Sequence, residues 1–328
     1  MKKGYLYILL TTIFFSSMEI ALKLVTNEFN PIQITFLRFF IASLILMPLA
    51  VKGLKKRNVR LNRSDIAYFA LTGFICIVVS MILYQMAILY AHASVVAVLF
   101  SCNPIFVILF AYLMLHEKIY KHTIVSLIVN IAGIIVIMNP LHMSGTITGI
   151  VLTILSAITF ALYSVMGRKL SEKYGGIALT CFSFLFGSLE MLLLIFVSKV
   201  GAVSGFLTQA GLKAFADVPI LQGITLHSLL SLVYVSLFAT GLGYAFYFLA
   251  MEETSASTTS LVFFIKPALA PIMALVILGE PITLNMAIGI ILIITGSLIS
   301  FIPGYRMSKE NANAENIEAP IEKIPVKS

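Results

Sequence analysis

The sequence predicts an all-α polytopic membrane protein, with ten transmembrane helices arranged as two inverted five-helix repeats. Three observations predict this. Of 328 residues, 60% are hydrophobic and only 11% charged, with a mean hydropathy of +1.03; a soluble domain carries roughly 25% charged residues. Nearly the whole length falls into apolar runs of about 20 residues, which as helices span ~30 Å of hydrocarbon. The chain is also duplicated. At an offset of 163, Ala93/Ala256, Ser94/Ser257, Phe100/Phe263, Pro104/Pro267, Ala111/Ala274, Leu115/Leu278 and Glu117/Glu280 are identical.

Taken in order, the spans of the first copy are Tyr5–Val25, Pro31–Val51, Asp65–Leu89, Ala93–Leu115 and His122–Met138. Lys2 and Lys3 ahead of an apolar run imitate a signal peptide, but no clear small-x-small cleavage site follows and the repeat needs this segment. The second copy holds Thr146–Gly167, Gly176–Val197, Leu226–Ala250, Ala256–Leu278 and Asn285–Ile302. Residues 1–140 and 146–303 are thus the two repeats, and 304–328 reads as a polar, disordered cytoplasmic tail. The connection Ser198–Thr225 is the longest between spans, and its mixed polarity leaves room for a short helix.

The same offset of 163 pairs Tyr84 with Tyr247 and Gly133 with Gly296. In the first two spans the offset is 145, pairing Phe15 with Phe160, Lys23 with Arg168, Thr35 with Thr180, Phe39 with Phe184 and Ser43 with Ser188. Apolar helices align by composition alone; matching Pro, Gly, Glu and Tyr at fixed offsets do not. Five spans per copy is an odd number, so the second copy enters the membrane inverted. Inverted repeats of this kind recur in secondary transporters, whose sites lie near the midplane where the repeats meet.

Charge placement gives orientation. The net charge of +8 comes from Lys and Arg in short loops, which is membrane topology rather than a nucleic-acid footprint. Most of the 22 basic residues fall on the side of the N-terminus, while Lys199 and Lys213 fall on the other. The positive-inside rule then makes both termini cytoplasmic in a plasma-membrane protein. Cys76, Cys102 and Cys181 all lie within spans, an odd set with neither a disulfide framework nor metal-ligand spacing. Neither a metal nor a cofactor is expected.

A Pro in mid-helix and a closing Glu in the fourth and ninth spans carry a resemblance. Pro104 with Glu117, Pro267 with Gly279-Glu280, and Leu37-Arg38-Phe39 in the second span resemble the EamA-type drug/metabolite transporter superfamily, over roughly residues 5–303. The resemblance implies an inverted-repeat carrier with a central cavity, often an exporter of small metabolites or amino-acid-like solutes. The family often has Trp in its first and sixth spans; this chain has none, and Phe15 and Phe160 stand near those places. The family's closing Glu tends to be structural, so no transport role passes to Glu117 or Glu280.

Glu19, Lys23, Arg38, Glu190 and Lys266 are the charges inside spans. An ionisable group there is costly and marks a pathway or site by default. Glu19 lies ~21 Å from the start of its span, Arg38 ~10 Å and Lys266 ~15 Å, at 1.5 Å per residue. Lys266, Glu19, Arg38 and Glu190 are therefore the candidates for solute binding or coupling. Each also has a packing role open to it: Glu19 with Arg38, Glu190 with Lys266, and Lys23 reaching to the outer headgroups. Asn103 stands at the position equivalent to Lys266 and gives a neutral wall; Tyr84, Tyr163 and Tyr247 are further cavity-lining candidates. Pro104, Pro267 and Pro271 are expected to break helices and free carbonyls to line a cavity between the first-to-fourth and sixth-to-ninth spans.

The favoured function is a secondary transporter that exports a small anionic or zwitterionic solute by alternating access. Its partners are that solute and the lipid bilayer. Gly145 and Gly149 give a small-xxx-small spacing suited to a homodimer contact. The alternatives are an intramembrane enzyme, or a channel or receptor without carrier activity. His116-Glu117 is not followed by the second His of HExxH, since Tyr120 stands there, and no GxSxG or paired intramembrane aspartates occur. A channel filter loop or a repeated ring of charges is likewise missing from the sequence.

Overall fold

The computed structural model describes residues 2–59, 61–116, 121–138, 147–253, 259, 261–296 and 298–299. Among these, all regular structure is helical. Seven helices are long and apolar enough to cross a membrane, and three shorter apolar ones run Ile124–Ile137, Ile265–Leu278 and Leu284–Gly296. Glu117, Gly145 and the 304–328 tail lie outside the described residues.

The first helix, α1, runs Lys2–Leu24. α2 (Pro31–Arg57) starts on a capping box: the Asn30 side chain accepts from the Ile32 and Gln33 amides, and Gln33 reaches back to the Asn30 amide. Pro31 at the first position needs no N–H partner. Lys55, Lys56 and Arg57 fill the last turn, where cations suit the helix dipole. α3 (Arg63–Tyr90) contains a π-helical stretch, Phe74–Met81.

The fourth span is broken into α4 (Ala93–Phe100) and α5 (Asn103–Leu115). The break falls at Ser101 and Cys102, which stay right-handed but whose ψ values of −5° and −2° open out from the α-helical value near −42°. Pro104 sits in the first turn of α5, where its missing N–H costs nothing. Pro267 and Pro271 do not break their helix, contrary to expectation: α11 (Leu261–Leu278) is continuous through both. It packs along α1 and against α4, and those neighbours hold it helical while the carbonyls of Phe263 and Pro267 lose their N–H partners.

Between these lie α6 (Lys121–Met138), α7 (Ile147–Tyr174), α8 (Gly176–Ser198) and the short α9 (Gly201–Gln209), which is the helix anticipated in the long connection. α10 comprises Leu226–Val233, a π-helical stretch Tyr234–Leu242, and Gly243–Glu253. α12 runs Leu284–Gly296. The two π-helical stretches overlap when shifted by 163 residues. Such widened turns are rare and often mark functional positions.

Residues matched in sequence meet in space. The rings of Phe39 and Phe184 stand edge to face at 4.6 Å, and the Tyr244 hydroxyl points at the sulfur of Met81, its sequence equivalent, at 3.7 Å. α6 and α12 meet reciprocally: a Cβ on Gly133 would collide with Ile293, and one on Gly296 with Asn130, the equivalent pair. The loop after α9 is tied to the start of α2, where Asn30 donates to the Ala214 carbonyl at 2.9 Å and Gln33 to those of Ile220 and Gln222 at 3.2 and 2.6 Å.

Candidate functional site

The core between the two halves is aromatic. Tyr244 of α10 is its hub, with Phe15 and Phe184 at 5.1 Å, Phe160 at 5.9 Å and Phe39 at 6.1 Å, all edge-on. Such tilted contacts place ring edges against ring faces, the favoured geometry for aromatic pairs. All five residues are fully or almost fully buried.

One wall of this core is charged. Glu19 of α1 and Lys266 of α11 form an ion pair of 2.5 Å, with side chains 0% and 1% exposed. The Tyr84 hydroxyl of α3 donates to the same Glu19 oxygen, Oε1. Lys266 Nζ lies 5.1 Å from the centre of the Phe100 ring, a cation–π contact, and Phe100 packs edge-on against Tyr84 at 4.9 Å. The cation thus has a carboxylate on one side and a ring face on another. Asn103, at the start of α5, donates from Nδ2 to the Ala157 carbonyl at 2.8 Å, while its buried Oδ1 finds no hydrogen-bond partner among the described residues.

Arg38 of α2 is also fully buried. Its Nη1 points at the Met18 sulfur at 3.5 Å, and its cationic carbon lies 4.6 Å above the Phe39 ring. The expected pairing of Glu19 with Arg38 is not formed: Lys266 and Tyr84 occupy the near oxygen of Glu19 instead. Depth along a helix sets the level of a side chain but not the direction it faces, and Lys266 wins on direction.

The alternative pairing of Glu190 with Lys266 also fails, because Glu190 sits half-buried on α8 while Lys266 is committed to Glu19. Glu190 has no ion-pair partner among the described residues, and its Oε2 has no hydrogen-bond partner there. Nor does Lys23 reach to headgroups. It donates to the carbonyls of Ile88 and Ala91 at 2.6 and 3.0 Å, satisfying the end of α3.

Of the tyrosine candidates, Tyr84 touches the ion pair directly. Tyr163 is buried against Phe160 and Phe248, with a hydroxyl unpartnered among the described residues. Tyr247 packs on Phe15, Phe248 and Phe263. Sequence reasoning missed Phe100, Tyr244 and Met18 as parts of this site. A signal existed for Phe100, identical to Phe263, and for the ring pairs Phe15/Phe160 and Phe39/Phe184. Tyr244 carried none, because its equivalent is Met81.

The same offsets expose an asymmetry. The equivalents of Glu19, Arg38 and Lys266 are Ser164, Ser183 and Asn103. At each of these positions one copy therefore holds a charge and the other a neutral hydrogen-bonding side chain.

Comparison with known proteins gives one consistent answer. The family model for the EamA-like transporter family matches residues 2–139 and again 147–302. A Clostridium kluyveri protein named as an uncharacterized transporter is 40% identical over 97% of this chain and 100% of its own. A similarly named Archaeoglobus fulgidus protein is 26% identical over 90% of this chain and 98% of its own. The Bacillus subtilis uncharacterized transporter YyaM is 23% identical over 95% and 100%. A solved crystal structure superposes with a TM-score of 0.63 over 91% of this chain and 96% of that one, at 15% identity, which speaks for the fold alone.

Proposed function

We infer the function from a firm premise: the chain belongs to the EamA-like transporter family, a family of membrane transporters rather than enzymes. On that footing it is a secondary carrier that exports a small anionic or zwitterionic metabolite across the plasma membrane by alternating access. Residues 1–140 and 146–303 form two five-span repeats of opposite orientation, ten spans in all, with both termini and the tail cytoplasmic. The reciprocal contacts of sequence-equivalent residues support that arrangement.

The observation that carries the reading is the Glu19–Lys266 pair with Tyr84, buried where α1 and α3 of one repeat meet α11 of the other. Two unlike charges in such a place are poor stabilisers compared with apolar residues of the same shape. Their value lies in what they can exchange. A solute carboxylate can share Lys266, and a solute ammonium can share Glu19, so that binding loosens the tie between the repeats and lets them rock. Asn103, Tyr163 and Tyr247 supply the facing neutral wall, and Glu190 stands apart from it as a weaker candidate for coupling.

The test begins with an efflux and resistance screen in cells overexpressing the chain, to find the solute. Counterflow of that solute is then measured in proteoliposomes. Saturable counterflow by the wild type, abolished in a folded Lys266→Ala variant, is the expected result. Wild-type rates from Lys266→Ala would overturn the assignment of the site, and non-saturable flux without counterflow would favour a channel.

A further inference from the structure

We propose that Arg38, rather than Lys266, is the primary anion receptor, and that the group it receives is a single carboxylate on the solute. The proposal rests on the transporter reading and sharpens its substrate class. Among the described residues Lys266 already has its counter-ion in Glu19. Arg38 has no ion-pair contact: its one hydrogen-bond partner among the described residues is the Met18 sulfur at 3.5 Å, a weak acceptor, while Glu19, Tyr84, Tyr244 and Cys76 act on it only through space. Two cations and one carboxylate leave the buried cluster one positive charge in excess. Lysine can shed such a charge by losing a proton, but a guanidinium cannot. An uncompensated charge in an apolar interior is among the costliest features a fold can keep.

The geometry says what shape of anion relieves it. The unpartnered atoms are Nε and Nη2. These two N–H groups lie side by side on one edge of the guanidinium and point the same way, the fork that matches both oxygens of one carboxylate. The third nitrogen, Nη1, is turned to Met18, and the guanidinium carbon lies 4.6 Å from the centre of the Phe39 ring, so those sides of the group are occupied and the Nε–Nη2 edge is the one left open. Glu19 contributes a second unfilled group, its buried Oε2. A zwitterion would use both, carboxylate on Arg38 and ammonium on Glu19; a simple monocarboxylate would use Arg38 alone.

Acetate and glycine are small enough to serve as probes, with acetamide and glycinamide as controls lacking the carboxylate. Thermal midpoints of purified protein in detergent are measured for the wild type, Arg38→Met and Glu19→Gln, with sodium chloride matched throughout. Acetate should raise the wild-type midpoint by several degrees more than acetamide, and that gain should vanish in Arg38→Met. A larger gain from glycine than from acetate, lost in Glu19→Gln, assigns a zwitterion; equal gains assign a monocarboxylate.

Without probe, Arg38→Met should be at least as stable as the wild type, since it removes an unpaired charge and keeps the bulk. A midpoint several degrees lower would make Arg38 a structural cation and overturn the proposal. Equal responses to acetate and acetamide, or a response that survives in Arg38→Met, would overturn it too. The arms separate the two readings. A protein that binds acetate through Arg38 but moves no solute defeats the transporter reading alone. A carrier whose Arg38→Met variant transports at the wild-type rate defeats this one alone.

Discussion

Glu19 and Lys266 are each other's solvent. Neither has water at 0% and 1% exposure, so each depends on the other for its charge to be tolerable. Removing one partner leaves the second buried and bare, a loss of about 3–5 kcal/mol in comparable interiors. Removing both together should cost far less. Glu19→Gln and Lys266→Met are therefore each expected to lower the unfolding midpoint, and the double variant to recover most of that loss, while all three lose transport. Thermal unfolding in detergent alongside counterflow in liposomes reads both effects. Strictly additive losses in the double variant would mean that the two groups are not coupled. That the charges matter was legible in the sequence, because polar groups are rare in such runs. Which charge meets which was not. Counting residues fixes height along a helix, whereas partner choice depends on helix rotation, and Glu19 faces α11 rather than α2. Lys23 was illegible for another reason: its acceptors are the backbone carbonyls of Ile88 and Ala91, which no side-chain pattern announces.

At the scale of elements, the turn from α3 to α4 is held at both of its ends. Lys23 of α1 satisfies the carbonyls that end α3. Glu280, just beyond α11, accepts from the amides of Ala93 and Ser94 at 2.9 and 3.0 Å and from the Ser94 hydroxyl at 2.6 Å, capping α4 from the opposite repeat. Helix N-termini favour a carboxylate, and here it comes from another part of the chain. Burial alone would raise the pKa of Glu280, but the Ser94 hydroxyl and the two amides, with His92 nearby, hold its carboxyl below the ordinary range. A depressed value in the fold means stability that is full above the unfolded carboxylate value, near 4.3, and that fades as pH falls through the lower folded one. Glu280→Gln should cost roughly 1.5–3 kcal/mol at neutral pH, the range for hydrogen bonds to a charged group. The gap between the two proteins should narrow only below about pH 4. Midpoints compared across a pH series check this, and a gap that closes already between pH 7 and 5 would count against it. The residues of this cap, Ala93, Ser94 and Glu280, all belong to the duplicated stretch. Their identity was visible; that the Glu of one copy serves the helix start of the other was not, because alignment shows equivalence and not contact.

For the whole molecule, the duplication was the most legible feature. Fixed offsets in one sequence paired Phe39 with Phe184 and Gly133 with Gly296; the structure adds that the two rings meet and that α6 and α12 interlock at those glycines. The offsets also expose where the copies differ, at Glu19/Ser164, Arg38/Ser183 and Lys266/Asn103; what they hid was that Glu19 of one copy would pair with Lys266 of the other. A duplicated carrier needs symmetry to expose its site to both faces and asymmetry to grip one kind of solute. Both demands rest on the second copy being inverted, which is a statement about which surfaces face the cytoplasm. Lys56, near the end of α2, and Gly205, in α9, lie exposed at positions that the charge pattern assigns to opposite sides. The native cysteines do not interfere, because Cys76, Cys102 and Cys181 are all buried. Lys56→Cys and Gly205→Cys can therefore be treated separately with a membrane-impermeant maleimide. In intact cells only the cysteine at 205 should react, and the one at 56 only after the membrane is opened. Labelling of both from outside would break the five-plus-five arrangement. Labelling of 56 alone would turn the whole protein over in the membrane and put both termini outside.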